Sequence, residues 1–360
     1  MRRLTPLGLL VLAAACSSGE KESVQVGYRG LGQEINYSSK QLAAAREHNV
    51  APAPLPPAST PSPVVQWKNV QVLTDVSANE LNRTMVAMTQ WVAPKQSCGY
   101  CHVLTDFGSD SLYTKRVARR MLQMTRNINT NYKSHVQDVG VTCYSCHRGL
   151  NVPAQGIWHY TTRDQYERAF IDRSDVRVQS QTVAHTDANR SSVKQAENTY
   201  ALMINVSRSL GVNCAFCHNT RSFTTWQNAP PARVTAQYGL RMVRDLNANY
   251  LTSLQGVFPA NRLGVHGDVP KMQCATCHQG VYKPLLGAQM VKDYPALWGA
   301  PQWARSAADS NAAGITDLRG RDSVPHDGSP RLPGRRAAPL PAGAIAANTP
   351  AAPPLATPRQ

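Results

Sequence analysis

Four copies of one short motif constrain this chain of 360 residues more than any other feature. Each copy reads Cys-x-x-Cys-His, and the copies lie at 98–102, 143–147, 214–218 and 274–278. The motif is the attachment signal of c-type haem: two thiols bond to the haem, and the histidine that follows reaches the iron. We predict four covalent haems held by Cys98, Cys101, Cys143, Cys146, Cys214, Cys217, Cys274 and Cys277, with His102, His147, His218 and His278 as axial ligands.

Two other uses of paired cysteines explain the pattern less well. Zinc sites use Cys-x-x-Cys pairs, and exported proteins use cysteines in disulfides. Neither requires a histidine after every second cysteine. With 10 histidines in 360 residues, four such placements would arise by chance about once in a million.

The N-terminus is typical of an export signal. Arg2 and Arg3 precede an apolar stretch that is too short to span a bilayer, and the stretch ends at Cys16. It resembles a bacterial lipoprotein signal, in which the cysteine becomes the acylated N-terminus. The alternative is ordinary cleavage near Ala15, with Cys16 left as a free thiol. Since no run of eighteen apolar residues occurs, we expect no membrane-spanning helix in the mature protein.

Composition and motif spacing divide the chain into five parts. We expect a signal peptide over 1–15, an anchor and Pro-rich extended segment over 16–70, a module carrying haems 1 and 2 over 71–182, a module carrying haems 3 and 4 over 183–300, and a disordered Ala/Pro-rich tail over 301–360. The Pro-rich linker itself covers 51–63.

The repeating unit is a pair of motifs rather than one motif. The segment MLQMTRNINTNY (121–132) matches GLRMVRDLNANY (239–250), and the second copy has an insertion around 254–268. Phe107 and Phe223 each lie five residues beyond a motif histidine. We predict a mainly α, multihaem c-type cytochrome with much irregular structure, built from two copies of a two-haem module.

Capping signals place four helices along the modules. The first covers about 78–92 and is opened by Ser77, and the second covers about 111–130. The third covers about 190–210 and is closed by Gly211. The fourth covers about 231–253 and is opened by Pro230 and Pro231. Strand signals are confined to the segment before residue 75.

Methionines upstream of the motifs are candidates for the remaining axial positions. Aligning MVAMTQWV with MINVSRSL equates Met85 with Met203, whereas Met88 falls on Val206. Apolar helix faces often carry methionine as packing, but iron needs a second ligand. Met85 and Met203 are therefore the ligand candidates, and Met88 is interpreted as packing.

The second half of each module is less symmetric. Met121 aligns with Gly239, so one haem is expected to have a methionine ligand and the other a histidine. His135 and His266 each lie eight residues before a motif, and the residues alone leave both open. We expect the remaining single histidines to be surface or linker residues: His48, His159, His185 and His326.

These residues resemble the tetrahaem cytochrome c subunit of the bacterial photosynthetic reaction centre. The resemblance extends from about residue 27 to 297 and includes GYRGLGQ, VTCYSCHRG, RMVRDLNANYL and CATCHQG. It implies that Met85 serves the haem on His102, and Met121 the haem on His147. It likewise implies that Met203 serves the haem on His218, and His135 the haem on His278.

The resemblance also implies an arrangement and a function. The haems would form a nearly linear stack around a local two-fold, in the order first, second, fourth, third, with the third nearest the special pair. The chain would be an electron carrier rather than an enzyme, passing electrons from a soluble periplasmic donor to the photo-oxidised special pair. The donor would be a small cytochrome c or a high-potential iron–sulfur protein.

Location and partners follow from the same resemblance. The protein would be lipid-anchored at the periplasmic face of the inner photosynthetic membrane, bound to membrane-embedded reaction-centre subunits and to no nucleic acid. The alternative is an exported multihaem oxidoreductase of respiratory nitrogen or metal metabolism. Such enzymes need a haem with an open or lysine-ligated position, whereas every motif here has a candidate second ligand.

Charge bears on the donor. The formal net charge is +16, but steering follows the local field at the entry site. Near the first motif, acidic residues are balanced by basic ones in the sequence. We therefore expect a neutral or acidic donor, or one that docks mainly through apolar contact. The alternative is that folding gathers Asp75, Asp106 and Asp110 into an acidic patch.

Overall fold

The structure, a computed structural model, describes residues 19–58, 62–64, 67–156, 192–223, 226 and 228–298. The expected signal peptide, Cys16 and the tail over 301–360 lie outside these residues. The expected boundary between the modules, at 182/183, also lies outside them, as do His159, His185 and His326.

A small hairpin opens the described chain. Strands β1 (Lys21–Gln25) and β2 (Glu34–Ser38) are antiparallel, with Val24 opposite Ile35. They lie before residue 75, as the sequence predicts. Helix α1 (Ser39–His48) follows directly, and its first turn is closed by a capping box between Ser38 and Gln41. The backbone after β1 contacts the third motif region, because the Asn213 N–H donates to the Val26 carbonyl at 3.0 Å.

The haem-motif region is mainly helical, with long irregular connections. Its helices are α2 (Ala78–Val92), α3 (Tyr113–Asn131), α4 (Lys133–Val136), α5 (Cys143–His147), α6 (Ser192–Leu210), α7 (Ala232–Leu246) and α8 (Cys274–His278). The four long predicted helices are confirmed. The last is shorter than expected as an α-helix, because α7 continues as a π-helical turn (Asn247–Leu251) and a 3-10 turn (Thr252–Leu254).

Local sequence explains where these helices begin and end. The Ser77 hydroxyl accepts a hydrogen bond from the Glu80 N–H at 3.3 Å, which satisfies a free donor at the start of α2. Gly211 follows α6 with φ of +64°, in the left-handed region that glycine tolerates. A side chain there would also collide with the Gly280 carbonyl. The end of α6 is thus packed tightly against the chain that follows the fourth motif.

Two clusters of buried apolar side chains form separate cores. The first joins α2, α3 and the segment 285–298, and Trp91 contacts Tyr294 edge-on at 4.6 Å between ring centroids. The second joins the other side of α3 to α6 and α7, with Leu202 and Leu246 almost fully buried. Within the described ranges, no helix is both long enough and apolar enough to cross a membrane.

Two asparagines tie the cores to the motif helices in the same way. The buried Asn129 side chain accepts a hydrogen bond from the Val141 N–H at 2.7 Å and donates to the Val141 carbonyl at 2.9 Å. Asn247, at the matching position of the repeat, accepts from the Met272 N–H at 2.8 Å and donates to its carbonyl at 2.9 Å. Each contact fixes the backbone two residues before a motif.

Candidate haem-binding sites

One large cavity joins the residues predicted to hold the first two haems. Its volume is about 920 Å³, near the upper end of the range of roughly 300–1,000 Å³ for ligand pockets. The eight predicted ligand and attachment residues of these two sites all line it: Met85, Cys98, Cys101, His102, Met121, Cys143, Cys146 and His147. Met88 lines it too and packs against the first core, in keeping with its predicted packing role.

The motif histidines are all prepared in the same way to bind a metal. The Nδ1 atom of each lies 2.9–3.1 Å from a backbone carbonyl oxygen, in His102, His147, His218 and His278. A carbonyl can only accept, so Nδ1 carries the proton and Nε2 is left as the ligand atom. Such hydrogen bonds fix the ring orientation of metal-binding histidines.

The partners of these hydrogen bonds follow the repeat. His102 and His218 donate to the carbonyls of Phe107 and Phe223, five residues on, and each histidine also stacks on that phenylalanine ring. His147 and His278 instead donate to carbonyls three residues on. The first and third motifs begin in 3-10 turns, whereas the second and fourth form the short helices α5 and α8.

His135 lies against His278, although 143 residues separate them in the chain, counted from the two residue numbers. Their ring centroids are 6.0 Å apart. Metal–histidine bonds of about 2 Å place two imidazoles on opposite sides of one metal at a centroid distance of about 6 Å. The Nδ1–H of His135 donates to the Thr235 carbonyl at 2.9 Å, which again leaves Nε2 for a metal.

Gly239 makes this approach possible. A Cβ atom at position 239 would lie 2.5 Å from Cε1 of His135, closer than non-bonded carbons can approach. Met121 is the counterpart of Gly239 in the repeat, and its longer side chain lines the cavity of the first two motifs. The absence of a methionine at Gly239 therefore coincides with the entry of a histidine from the other half of the chain.

The second and fourth motifs meet directly. The structure joins Cys146 and Cys277 in a disulfide, with Cα atoms 4.5 Å apart, and helices α5 and α8 contact each other. A sulfur atom that forms a disulfide cannot also form a thioether. Haem attachment at these motifs therefore requires the two cysteines to be separate thiols, and their predicted thioether bonds stay a prediction.

Met203, His266 and His48 each lie apart from the contacts described so far. Met203 lies on α6, half-buried against the second core. His266 lies on the surface in the segment that the sequence marks as an insertion. His48 ends α1, is exposed, and contacts the Gln279 side chain.

Burial sets the protonation state of the site. It lowers the pKa of His147, so that the ring stays neutral at neutral pH. Burial and the nearby His135 lower the pKa of His278 to about 4. Burial also raises the pKa of the Cys143 and Cys274 thiols to about 12. The imidazoles are thus in the form that binds iron, while the buried thiols hold their protons.

Some contributors to the sites were missed by sequence analysis. Phe258 and Arg262, from the insertion of the second copy, line the cavity of the first two motifs. Asn129 and Asn247 fix the approach to the second and fourth motifs. The repeat contained the signal for the asparagines, since both stand at the same place in the matched segments. Nothing in the sequence indicated that the insertion would line the cavity of the first two motifs.

Fold and site together define a c-type cytochrome: a mainly helical chain with little sheet, in which four Cys-x-x-Cys-His segments each hold a histidine ready for iron. A family model described as "Photosynthetic reaction centre cytochrome C subunit" matches residues 17–174 and 161–298. The chain belongs to this family. It is an electron-transfer subunit of the photosynthetic reaction centre, a membrane complex, and carries electrons rather than catalysing a reaction.

Named relatives agree with this assignment. The chain is 43% identical to the photosynthetic reaction center cytochrome c subunit of Rubrivivax gelatinosus, over 85% of this chain and 92% of that protein. It is 42% identical to the same subunit of Thermochromatium tepidum, over 80% and 78%. It is 36% identical to that of Roseobacter denitrificans, over 81% and 91%. The alternative of an exported respiratory oxidoreductase is not supported.

Proposed function

We propose that the chain passes electrons from a soluble periplasmic donor, through four c-type haems, to the photo-oxidised special pair. The observation that supports this most strongly is the common preparation of the four motif histidines, each with Nδ1 donating to a carbonyl. When bound, the haems supply one-electron redox chemistry. The protein orients the four histidines through their Nδ1 hydrogen bonds, and burial keeps His147 and His278 neutral.

The ligand set that we propose pairs Met85 with His102, Met121 with His147, Met203 with His218, and His135 with His278. The shared cavity supports the first two pairs. The approach of His135 to His278 and the space left by Gly239 support the last.

His135→Met tests this ligand set. Methionine raises haem potential relative to a second histidine, so one potential should rise and the spectrum of that haem should change. The variant His266→Ala is the control, because His266 is an exposed insertion residue and should leave all four haems unaltered. A change caused by His266→Ala instead of His135→Met would contradict the assignment.

We also propose two copies of a two-haem module around a local two-fold, with the boundaries 71–182 and 183–300. The paired contacts of Asn129 and Asn247 support this. So does the meeting of Cys146 with Cys277, because a two-fold brings equivalent residues together at its axis. We propose that the haems lie in the order first, second, fourth, third, and the contact between the second and fourth motifs supports this order.

The donor would dock near the first motif through apolar contact. Each acidic side chain there is already paired: Asp106 with Lys68 at 3.2 Å, and Asp110 with Arg119 at 3.0 Å. Asp75 pairs with the buried Arg126. Large apolar side chains are also exposed in this region: Trp67, Val86, Leu104 and Phe107. These pairings argue against a free acidic patch for a basic donor.

Lipid at Cys16 would anchor the chain at the periplasmic face of the membrane. The short apolar stretch before Cys16 supports this, and two or three acyl chains contribute roughly 0.8 kcal/mol per buried methylene. Mass spectrometry of the mature N-terminus tests it. An acylated Cys16 is expected, and Cys16→Ser should loosen the membrane attachment without affecting haem content. An unmodified Cys16 would contradict the anchor.

Flash-induced absorbance on intact membranes tests the relay as a whole. After a flash, haem oxidation should appear with the same time course as re-reduction of the special pair. A strain lacking this chain is the control, and its special pair should recover slowly. Equally fast recovery in the control strain would contradict the proposal.

A further inference from the structure

The contact between the second and fourth motifs contains one unmatched positive charge. Arg148 directly follows His147, and its Nη2 donates to the Cys277 carbonyl at 3.2 Å. The matching residue of the fourth motif is Gln279, whose amide donates back to the Cys146 carbonyl at 3.4 Å. Each of the two side chains donates a hydrogen bond to a cysteine carbonyl of the other motif, but only Arg148 is charged. The junction therefore carries a positive charge on the side of the second motif and a neutral amide at the equivalent place of the fourth.

The guanidinium of Arg148 has no anionic partner among the residues that the structure describes. Its Nε and Nη1 atoms are buried and form no hydrogen bond there. Its other contacts are neutral: the Asn49 amide oxygen at 3.3 Å and the ring of Tyr144 at 5.7 Å. Arg148 is half-buried, and the buried part of its guanidinium is screened less by water than an exposed charge would be.

The N-terminal segment holds this charge in place. Asn49, just after α1, is 1% exposed and accepts the hydrogen bond from Arg148. It also donates to the Ala45 carbonyl at 3.0 Å and to the Gln279 carbonyl at 3.5 Å. The chain before the first module thus contacts the junction of the second and fourth motifs.

We propose that Arg148 is an electrostatic tuning residue for the haems of the second and fourth motifs, positioned by Asn49. A nearby positive charge favours the reduced iron, which has one positive charge less, and so raises the reduction potential. Because Arg148 touches both motif segments, the effect should fall on two haems and not on the outer pair. This inference depends on the proposed haem positions at His147 and His278, and not on the electron donor or acceptor.

An equilibrium redox titration of the purified, fully haem-loaded protein tests this proposal. In Arg148→Gln, the ratio of reduced to oxidised haem at a fixed ambient potential should fall about tenfold for two haems, which corresponds to 59 mV for a one-electron couple. Arg148→Lys retains the charge and should restore most of the parental potential. A role in hydrogen bonding alone would not predict that rescue.

Arg46→Gln is the matched control. It removes the same charge from α1, but Arg46 is exposed and paired with Glu22, so all four ratios should stay within twofold of the parent. Asn49→Asp gives an independent test if Arg148→Gln does not load its haems, because it places a carboxylate beside the guanidinium. It should lower the same two potentials.

Loaded Arg148→Gln with all four ratios within twofold of the parent would overturn the proposal. So would a shift confined to the haems on His102 and His218, or an Asn49→Asp variant with unchanged potentials. The titration needs no reaction centre, so it separates this inference from the relay. A failed flash experiment would leave the potential shift standing, and an unchanged potential would leave the relay standing.

Discussion

At the scale of single residues, Gly239 shows how a missing side chain permits a long-range contact. Gly239 on α7 has no side chain at the position where its counterpart on α3 has the side chain of Met121. The His135 imidazole fills that space and turns its Nδ1–H to the Thr235 carbonyl on the same helix. A packing vacancy and a hydrogen bond together place one ring beside His278.

Gly239→Ala should therefore disturb the haem on His278 more than any other. The new methyl group would overlap His135, and overpacking of this kind costs about 1–3 kcal/mol. We expect a lower melting temperature and an altered absorbance band for one haem. Gly256→Ala is the matched control, since no atom lies within 4 Å of an added Cβ there. An unchanged spectrum in Gly239→Ala would contradict the proposed role of His135.

At the scale of elements, α3 is joined to the chain before the second motif by one side chain. Asn129 is fully buried and bonds both backbone groups of Val141 as well as the Leu297 carbonyl. Buried backbone groups that lose such partners are costly. The motif helix α5 thus depends on α3 for its position.

Asn129→Leu should lower the free energy of unfolding by about 3 kcal/mol, because the buried Leu297 carbonyl and both half-buried backbone groups of Val141 lose their hydrogen-bond partner. Chemical denaturation would measure it. Asn131→Leu, on the same helix but exposed, should change stability by less than about 1 kcal/mol. Equal effects of the two variants would show that the Asn129 contacts contribute little.

A second link at this scale is the ion pair between Asp75, ahead of α2, and Arg126 on α3. Arg126 is 1% exposed and also donates to the Val72 carbonyl at 2.8 Å. Burial tends to raise the pKa of Asp75, but the hydrogen bonds and charge of Arg126 outweigh it and hold the pKa below its usual 3.8. The pair therefore stabilises the fold above that pH and is lost as pH falls through the lowered pKa.

Asp75→Asn should reduce the free energy of unfolding at pH 7 by about 1–3 kcal/mol, because it leaves Arg126 buried without its counter-charge. The difference from the parent should shrink as the pH falls below 4. Urea denaturation at several pH values would measure both effects. Asp138→Asn serves as the control, since that side chain is 94% exposed. A difference that persists undiminished in acid would contradict the linkage.

At the scale of the whole molecule, the large positive charge does not by itself describe the donor surface. The acidic groups near the first motif are neutralised in pairs, and Lys68 and Arg119 lower the pKa of Asp106 and Asp110 respectively. Rim pairs of this kind govern association rates and their salt dependence. Large apolar side chains such as Trp67, Leu104 and Phe107 are exposed beside these pairs.

The second-order rate of reduction by the native donor should therefore change little, or rise modestly, as salt is lowered. Stopped-flow mixing over a range of ionic strength would measure it. Leu104→Ser should slow the reaction, because Leu104 is exposed and apolar. A steep rise in rate at low salt, abolished by Asp106→Asn and Asp110→Asn, would show instead that a basic donor is steered by charge.

The sequence by itself determined the features that depend on local spacing. The distance between two cysteines and the histidine after them defined the attachment sites, and capping residues such as Ser77 and Gly211 defined where helices begin and end. The repeat singled out Met121 and Gly239 as a mismatch. The motif and the caps are relations between near neighbours, where backbone geometry limits the possible structures, and the repeat is a comparison of two segments that needs no knowledge of the fold.

Only the tertiary structure decided which distant segments meet. Before any family resemblance is considered, the sequence left His135 and His266 equivalent, because both lie eight residues before a motif. The fold brings His135 to His278 and leaves His266 on the surface. It likewise pairs each acidic group near the first motif with a cation and sets Arg148 against the fourth motif. Such contacts depend on how helices pack across the two halves of the chain, and packing joins residues whose separation in sequence gives no sign of it.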